Sequence, residues 1–524
     1  MAEIFIDKLP RLINVSNLIL GHFIEHLGMC INNGVWTYKK TEQTLMQPPL
    51  DRVRTELFEK ISSLRPPIIR YPGGCFSDTY HWKDGIGPRS SRPIRKNKAW
   101  GGFKSVFGLI KGFNIGSKEK NHFGTDEFLT LCEKLGAEKY ININFGTGTP
   151  KEAAEWVEYT NGSLNTTYGK LRAKNGHPEP YNVKFWGIGN EIFGWWEKGH
   201  CKTGDIYGKK YLEFAKEMRK IDSNIKLLGV GWKSDWNRSF LRVAKGYVDY
   251  LTLHLYLPTI NIISYLLGWR ALPKNENVYY SMLNSPYLAE ELILKTRQDI
   301  ISTLGKNGLE QVKIAFDEWN IWYRWRQVYR ADTPHYNLRD GLWTACMINT
   351  FIKQAETIGM ANFAQMVNVL GMILTYDDKI IVNPNYLVFK MYSDVWLKDS
   401  SLLSVSVKCK NIISEQFANI PPIMKPVLDV AAMISRDKSK LTLFCVNKHL
   451  NENIDTCIKF SDSLNFTPEN VIGYILTHDT PFAINSRENP NTIKVQKLNF
   501  VCNNDLFKYK FPAHSVVVFQ FLGK

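Results

Sequence analysis

The chain has 524 residues, of which 44% are hydrophobic, 13% aromatic and 22% charged, with a net charge of +16 from 66 Lys and Arg against 50 Asp and Glu. This length supplies a large core and room for two domains, and the composition is that of an ordinary globular chain rather than a disordered or low-complexity one. The basic residues are spread along the chain, and the densest runs, "RSSRPIRKNK" (89–98) and "KEMRK" (216–220), carry no nucleic-acid motif, so nucleic acid is not the expected partner.

In chain order, eight short apolar runs stand out. They begin at Leu18 ("LILGHFIEHLG"), Pro67 ("PIIRYPGG"), Lys139 ("KYININFGTG"), Val183 ("VKFWGIGNE"), Ile225 ("IKLLGVGW"), Val248 ("VDYLTLHLYLP"), Val312 ("VKIAFDEWN") and Ala361 ("ANFAQMVNVLG"). Amphipathic helix candidates lie between several of them, such as "TDEFLTLCEKLG" (125–136) and "YGKKYLEFAKEMRKID" (207–222). Strands alternating with helices imply a parallel sheet, and eight such units suggest a (β/α)8 TIM barrel. A doubly wound sheet would also alternate, but a P-loop is absent and "GIGNEIFG" fails the dinucleotide spacing.

After about Tyr386 the pattern becomes short β-rich runs, "LTLFCVNKHL", "VIGYILTHD" and "SVVVFQFLG", separated by Asn, Asp, Pro and Ser. These predict a C-terminal antiparallel β-sandwich of jelly-roll type. The opening "AEIFIDKLP" also alternates and adds a strand to it. The expected division is a barrel over 15–385, with 1–14 and 386–524 in the sandwich.

Nine cysteines, an odd number without CxxC, argue against a disulfide framework and a zinc knuckle. The N-terminus "MAEIFIDKLPRLINVS" lacks a long apolar segment of the secretory kind. The most apolar long run, "MANFAQMVNVLGMILTY" (360–376), contains Asn362, Gln365 and Asn368 and reads as a buried strand with its flank, not a membrane span. A reducing cytoplasm is the expected setting, without membrane association. The sequons at Asn161, Asn165 and Asn465 have no meaning there.

The active face of such a barrel is formed by the C-terminal ends of its strands. Glu25 and His26 end the first run, Arg70 the second and Asn190 with Glu191 the fourth. His254 and Tyr256 end the sixth, Glu318 the seventh, and Gln365 lies in the eighth. A structural ion pair explains one such residue better than it explains the whole set. Two carboxylates on strands four and seven face each other across a barrel. That suits cleavage of an acetal, where one acid hands a proton to the leaving oxygen and the other attacks or stabilises an oxocarbenium-like centre.

The ordered motifs "GHFIEHLG", "IIRYPGGCFSDTYHWKDGIGP", "NFGTGT", "WGIGNE", "HLYL", "FDEWNIWY" and "AQMVNVL" resemble those of glycoside hydrolase family 51 over nearly the whole chain. The family consists mostly of retaining α-L-arabinofuranosidases with a barrel and a β-sandwich. The resemblance implies that Glu191 is the general acid/base and Glu318 the nucleophile. It implies that Glu25, Cys75, Asn190 and Gln365 contact the sugar, Asn190 at the 2-hydroxyl. Arg70 and Tyr256 would hydrogen-bond Glu318, His254 would support the acid/base, and Trp100 and Trp322 would wall the pocket. Trp186 and Trp195 are expected to keep Glu191 dry and protonated. No cofactor or metal is implied. The expected substrates are arabinose-containing oligosaccharides, and a homo-oligomer, often a hexamer in the family, is expected.

The sequence departs from the family pattern in two places. Phe193 stands where an acidic residue is usual, and the Gly- and Phe-rich segment 101–118 is extra and borders the active face. Three other readings compete with this one. An endo-β-glucanase or β-xylosidase would share the acids of strands four and seven. "HFIEH" matches a metalloprotease pattern, but zinc binding needs a helix and the motif reads as a strand end. A sugar-binding barrel without catalysis conflicts with the presence of both carboxylates.

Overall fold

The structure is a computed structural model in which residues 1–39, 43–99, 118–258, 272–322, 336–501 and 506–523 are described. All eight apolar runs become parallel strands of one closed barrel: Gly21–Phe23, Ile68–Tyr71, Glu138–Ile143, Phe185–Ile188, Lys226–Val230, Tyr250–Leu257, Lys313–Ile321 and Ile358–Ala364. The eighth closes on the first through Asn362 opposite Gly21. Helices follow the strands on the outside. Thr125–Leu135 follows the second strand and Gly204–Ile221 the fourth, close to the two helices expected. The former starts where Glu127 accepts from the Gly124 amide at 2.9 Å, and it stops at Gly136, whose φ of +67° suits glycine.

Alternation along the strands explains how the barrel interior carries charge. Ile68, Tyr140, Phe185, Leu228, Ala315 and Met360 form a separate apolar cluster of one residue from each of six strands. Two residues further along, the same side of each strand is reached again. Ile68 thus leads to Arg70, and Tyr250 leads to Thr252, His254 and Tyr256. The apolar layer closes the floor, and polar side chains rise from it toward the strand ends.

Strand seven breaks the alternation. Ala315 pairs with Thr252 but Glu318 with His254, so strand seven holds one more residue than strand six over that interval. This bulge lets adjacent Asp317 and Glu318 both reach the interior group around Arg70 and His254.

The C-terminal part is rich in sheet. Nine strands run in the order Gln496–Val501, Pro468–Leu476, Ser515–Gly523, Lys440–Asn447, Leu428–Ile434, Ser401–Lys408, Ala2–Lys8, Ile454–Phe460 and Leu506–Phe511. The N-terminal strand therefore joins this sheet, as its alternation suggested. Its pairing with Ile454–Phe460 is parallel, while the other pairings in the sheet are antiparallel. The helix Pro384–Asp394 leads from barrel to sheet. Asp429 of the sheet accepts from Asn349 and Lys353 of the helix Leu338–Lys353, each at 2.8 Å.

Candidate active site

Most of the expected residues meet at the C-terminal end of the barrel. Arg70, 1% exposed, donates through Nη1 to Glu318 Oε1 at 2.6 Å and through Nη2 to Asn190 Oδ1 at 2.9 Å. Its Nε lies 3.4 Å from Asp317 Oδ2. Tyr256 donates its hydroxyl to Glu318 Oε2 at 2.7 Å, so both oxygens of Glu318 have a donor. His254 Nδ1 is 2.9 Å from Glu191 Oε1 and 3.5 Å from Glu318 Oε2, and its Nε2 is 3.3 Å from Asp317 Oδ1. One oxygen of Glu191 and one of Glu318 lie within 4.8 Å of each other.

The next group surrounds the same opening. Glu25 accepts from Gln365 Nε2 at 2.8 Å and from the Phe76 amide at 3.2 Å. Asn190 Nδ2 lies 3.8 Å from Cys75 Sγ and donates to Glu197 at 3.2 Å. Trp322 stands edge-on to Tyr256, with ring centroids 5.4 Å apart. The two glycines of "YPGG" make room for the acids. A Cβ on Gly73 would fall 2.6 Å from Glu25 Cγ, and one on Gly74 would fall 2.7 Å from Glu318 Oε1. Trp100 and residues 101–117 of the extra segment lie outside the described residues. The segment is entered through the short antiparallel pair Arg95–Lys96 and Lys118–Glu119.

Electrostatics depart from the expectation for Glu191. Burial acts to raise its carboxyl, but the hydrogen bond and charge of His254 outweigh it and hold Glu191 below the usual carboxylate range. His254 is itself held well above the ordinary histidine value, against its burial, by Glu318, Asp317 and Glu191. The tryptophans named for this role are placed elsewhere. Trp186 points outward, donating to Val183 O at 3.0 Å beside Trp156. Trp195 is 82% exposed. It is Trp196 whose indole N–H reaches Glu191 Oε2, at 3.3 Å. Glu191 has φ of +44°, an unusual conformation for a non-glycine residue that marks the sharp exit from strand four.

Two groups, Asp317 and Glu197, escaped the sequence reading. Asp317 accepts from Tyr140 at 2.9 Å and joins Arg70 to His254. Its only sequence signal is the pair "DE". Glu197 is buried beside Asn190, and burial and the neighbouring Asp78 push it up to about 9. Phe193, the non-acidic departure, stacks parallel on Trp232 at 4.8 Å. The metalloprotease pattern is not helical: Gly21–Phe23 is strand, His22 packs on Phe389, and His26 turns to Glu119 at 3.0 Å. Two trios, Glu191–His254–Glu318 and Cys75–Glu191–Glu197, bring possible ligand atoms within 4.8 Å, so a cation held there would compete with the contacts just described.

Comparison with known proteins gives consistent results along the chain. Residues 60–267 match the family model described as α-L-arabinofuranosidase 1 domain, and 317–515 match the α-L-arabinofuranosidase C-terminal domain. A Bacteroides ovatus protein named intracellular exo-α-L-arabinofuranosidase is 32% identical over 96% of this chain and 92% of its own length. The crystal structure of α-L-arabinofuranosidase from Thermotoga maritima in complex with arabinose is 34% identical, with a TM-score of 0.84 and full coverage of both chains. The GH51 α-L-arabinofuranosidase of Thermotoga petrophila is 33% identical over 99% of this chain and all of its own, also with a TM-score of 0.84.

Proposed function

Since the chain belongs to the α-L-arabinofuranosidases of glycoside hydrolase family 51, we propose that it releases terminal α-L-arabinofuranosyl residues from arabinose-containing oligosaccharides by double displacement. The observation that carries this reading is the approach of Glu191 and Glu318 to within 4.8 Å, each held by its own donors. Retaining glycosidases work with carboxyl groups about 5 Å apart, because no water has to fit between nucleophile and sugar.

In this reading Glu318 is the nucleophile. Arg70 and Tyr256 fix its two oxygens and so its direction of attack. Glu191 gives a proton to the leaving oxygen. The proton held in the Glu191–His254 hydrogen bond supplies it, and after the aglycone departs Glu191 takes a proton from the incoming water. Asn190, locked by Arg70, faces the sugar 2-hydroxyl. Glu25, Cys75 and Gln365 bind the remaining hydroxyls, and Trp322, edge-on to Tyr256, walls the pocket.

The convergence of Glu25, Cys75, Asn190 and Gln365 around the two acids supports exo action on short arabinan and arabinoxylan fragments. A cytoplasmic location is part of the proposal, supported by the name of the B. ovatus relative. No helix among the described residues is long and apolar enough to cross a membrane. We also propose a homo-oligomer, and a division into barrel (15–385) and sandwich (1–14 and 386–524), with Pro384–Asp394 at the junction.

A panel of 4-nitrophenyl glycosides tests the function. The α-L-arabinofuranoside should be turned over at least a hundredfold better than the β-xyloside or β-glucoside. Equal or better turnover of either alternative would replace the reading by that of a β-xylosidase or β-glucanase. Release of mixed oligomers from linear arabinan would reject exo action.

A further inference from the structure

The turn that leaves strand four folds back and returns another carboxyl to the site. The amide of Glu197 donates to Gly194 O at 3.1 Å, and that of Cys201 to Ile192 O at 2.9 Å. The amide of Gly199 donates to Asp78 Oδ2 at 3.1 Å, which ties the turn to the loop after strand two. Glu197, only 6% exposed, is thereby held beside Asn190. The chemistry above gives it no part. Its surroundings are unusual for an acid. The side chains that act on it most are Asp78, Cys75, Glu191 and Asn190, and none of them is a cation. A carboxyl kept from water beside other acids retains its proton in neutral solution.

The contacts of Asn190 show what such a group does. Asn190 Oδ1 accepts from Arg70 Nη2 at 2.9 Å, which fixes the orientation of the amide and turns Nδ2 away from the guanidinium. Of the two N–H bonds on Nδ2, one goes to Glu197 Oε1 at 3.2 Å. The other has only Cys75 Sγ, a weak acceptor, at 3.8 Å. We propose that Glu197 is a positioning residue of the reaction: by taking one N–H of Asn190 it locks the amide between Arg70 and itself and aims the other N–H at the sugar 2-hydroxyl. An uncharged carboxyl suits this task, because it accepts the hydrogen bond without setting a further negative charge beside Glu191. The contact with the 2-hydroxyl strengthens as the oxocarbenium-like centre develops, so a misaimed amide costs kcat more than KM. The inference rests on the proposed role of Asn190 and adds the group that orients it.

The test compares Glu197→Ala, and Glu197→Met, which fills the space but offers no oxygen, with the unmodified enzyme. The substrates are 4-nitrophenyl α-L-arabinofuranoside and its 2-deoxy analogue. On the first, both variants should lose between about tenfold and a hundredfold in kcat/KM, mostly through kcat. On the 2-deoxy substrate, which gives Asn190 nothing to hold, the same variants should lose less than about threefold. Glu197→Gln keeps an uncharged oxygen in place and should stay within about threefold of the unmodified enzyme on both. An equal loss on the two substrates, or loss of folded protein in both Glu197→Ala and Glu197→Met, would make Glu197 a support of the turn and overturn the inference. So would an unchanged kcat in both variants, or a Glu197→Gln enzyme no better than Glu197→Met. Failure of the unmodified enzyme to cleave 4-nitrophenyl α-L-arabinofuranoside would instead reject the proposed function.

Discussion

Glu191 and Glu318 approach to within 4.8 Å, and His254 Nδ1 faces both, 2.9 Å from an oxygen of the first and 3.5 Å from an oxygen of the second. One imidazole therefore neutralises a pair of acids that would otherwise repel in a poorly solvated site. The pair Glu191–His254 holds one proton over a wide range, because Glu191 is lowered and His254 raised. Its contribution to stability is present between those two limits. It fades as pH falls through the lowered value of Glu191 or rises through the raised value of His254.

The corresponding prediction concerns activity. In His254→Asn the proton has only a carboxyl to occupy. The basic limb of the kcat/KM profile should move at least one pH unit lower. Natural arabinosides, which need protonation, should lose more than 4-nitrophenyl arabinofuranoside. An unchanged basic limb would mean that the donor proton does not depend on His254.

Gly74 tests how tightly the acids are positioned. A methyl group there would meet Glu318 Oε1 at 2.7 Å and Asn190 Oδ1 at 3.2 Å. Gly74→Ala should reduce kcat by about a hundredfold, the cost of roughly 1 Å of misplacement. Its melting temperature should stay within a few degrees of the parent. A fully active Gly74→Ala enzyme would show that the site has slack the geometry does not suggest.

Arg70 compensates two buried carboxylates, Glu318 at 2.6 Å and Asp317 at 3.4 Å. Arg70→Ala leaves them with less positive charge and should cost about 3 kcal/mol or more in urea unfolding. Arg70→Lys should recover part of that stability but little activity. An ammonium cannot hold Glu318 and Asn190 at once in the planar geometry of the guanidinium. Full activity in Arg70→Lys would show that charge alone suffices.

The barrel was legible because eight short apolar runs alternate with helix-like segments, and the two acids were legible because they terminate strands four and seven. Asp317 was not, since strict alternation sends a neighbour of Glu318 to the opposite face. Only the bulge after Ala315 brings both inside, and a bulge has no composition signature here. The choice between Trp195 and Trp196 as the contact of Glu191 was likewise hidden. It depends on the positive φ of Glu191 and on Gly194 making room for a folded-back indole. The neutral-acid expectation for Glu191 failed for a related reason. It weighed burial by aromatics, whereas the stronger influence comes from His254, 63 residues away in sequence.

The azide product of Glu191→Ala tests most directly which of the two acids is the nucleophile. With a good leaving group this variant should still load arabinose onto Glu318 but discharge it slowly, because water has lost its base. Azide needs no base, so it should accelerate turnover and attack from the side the aglycone left. Proton NMR of the product should then show the α-configured arabinofuranosyl azide, with retained configuration. A β-configured azide from Glu191→Ala would mean that Glu191 is the nucleophile and that the roles are reversed.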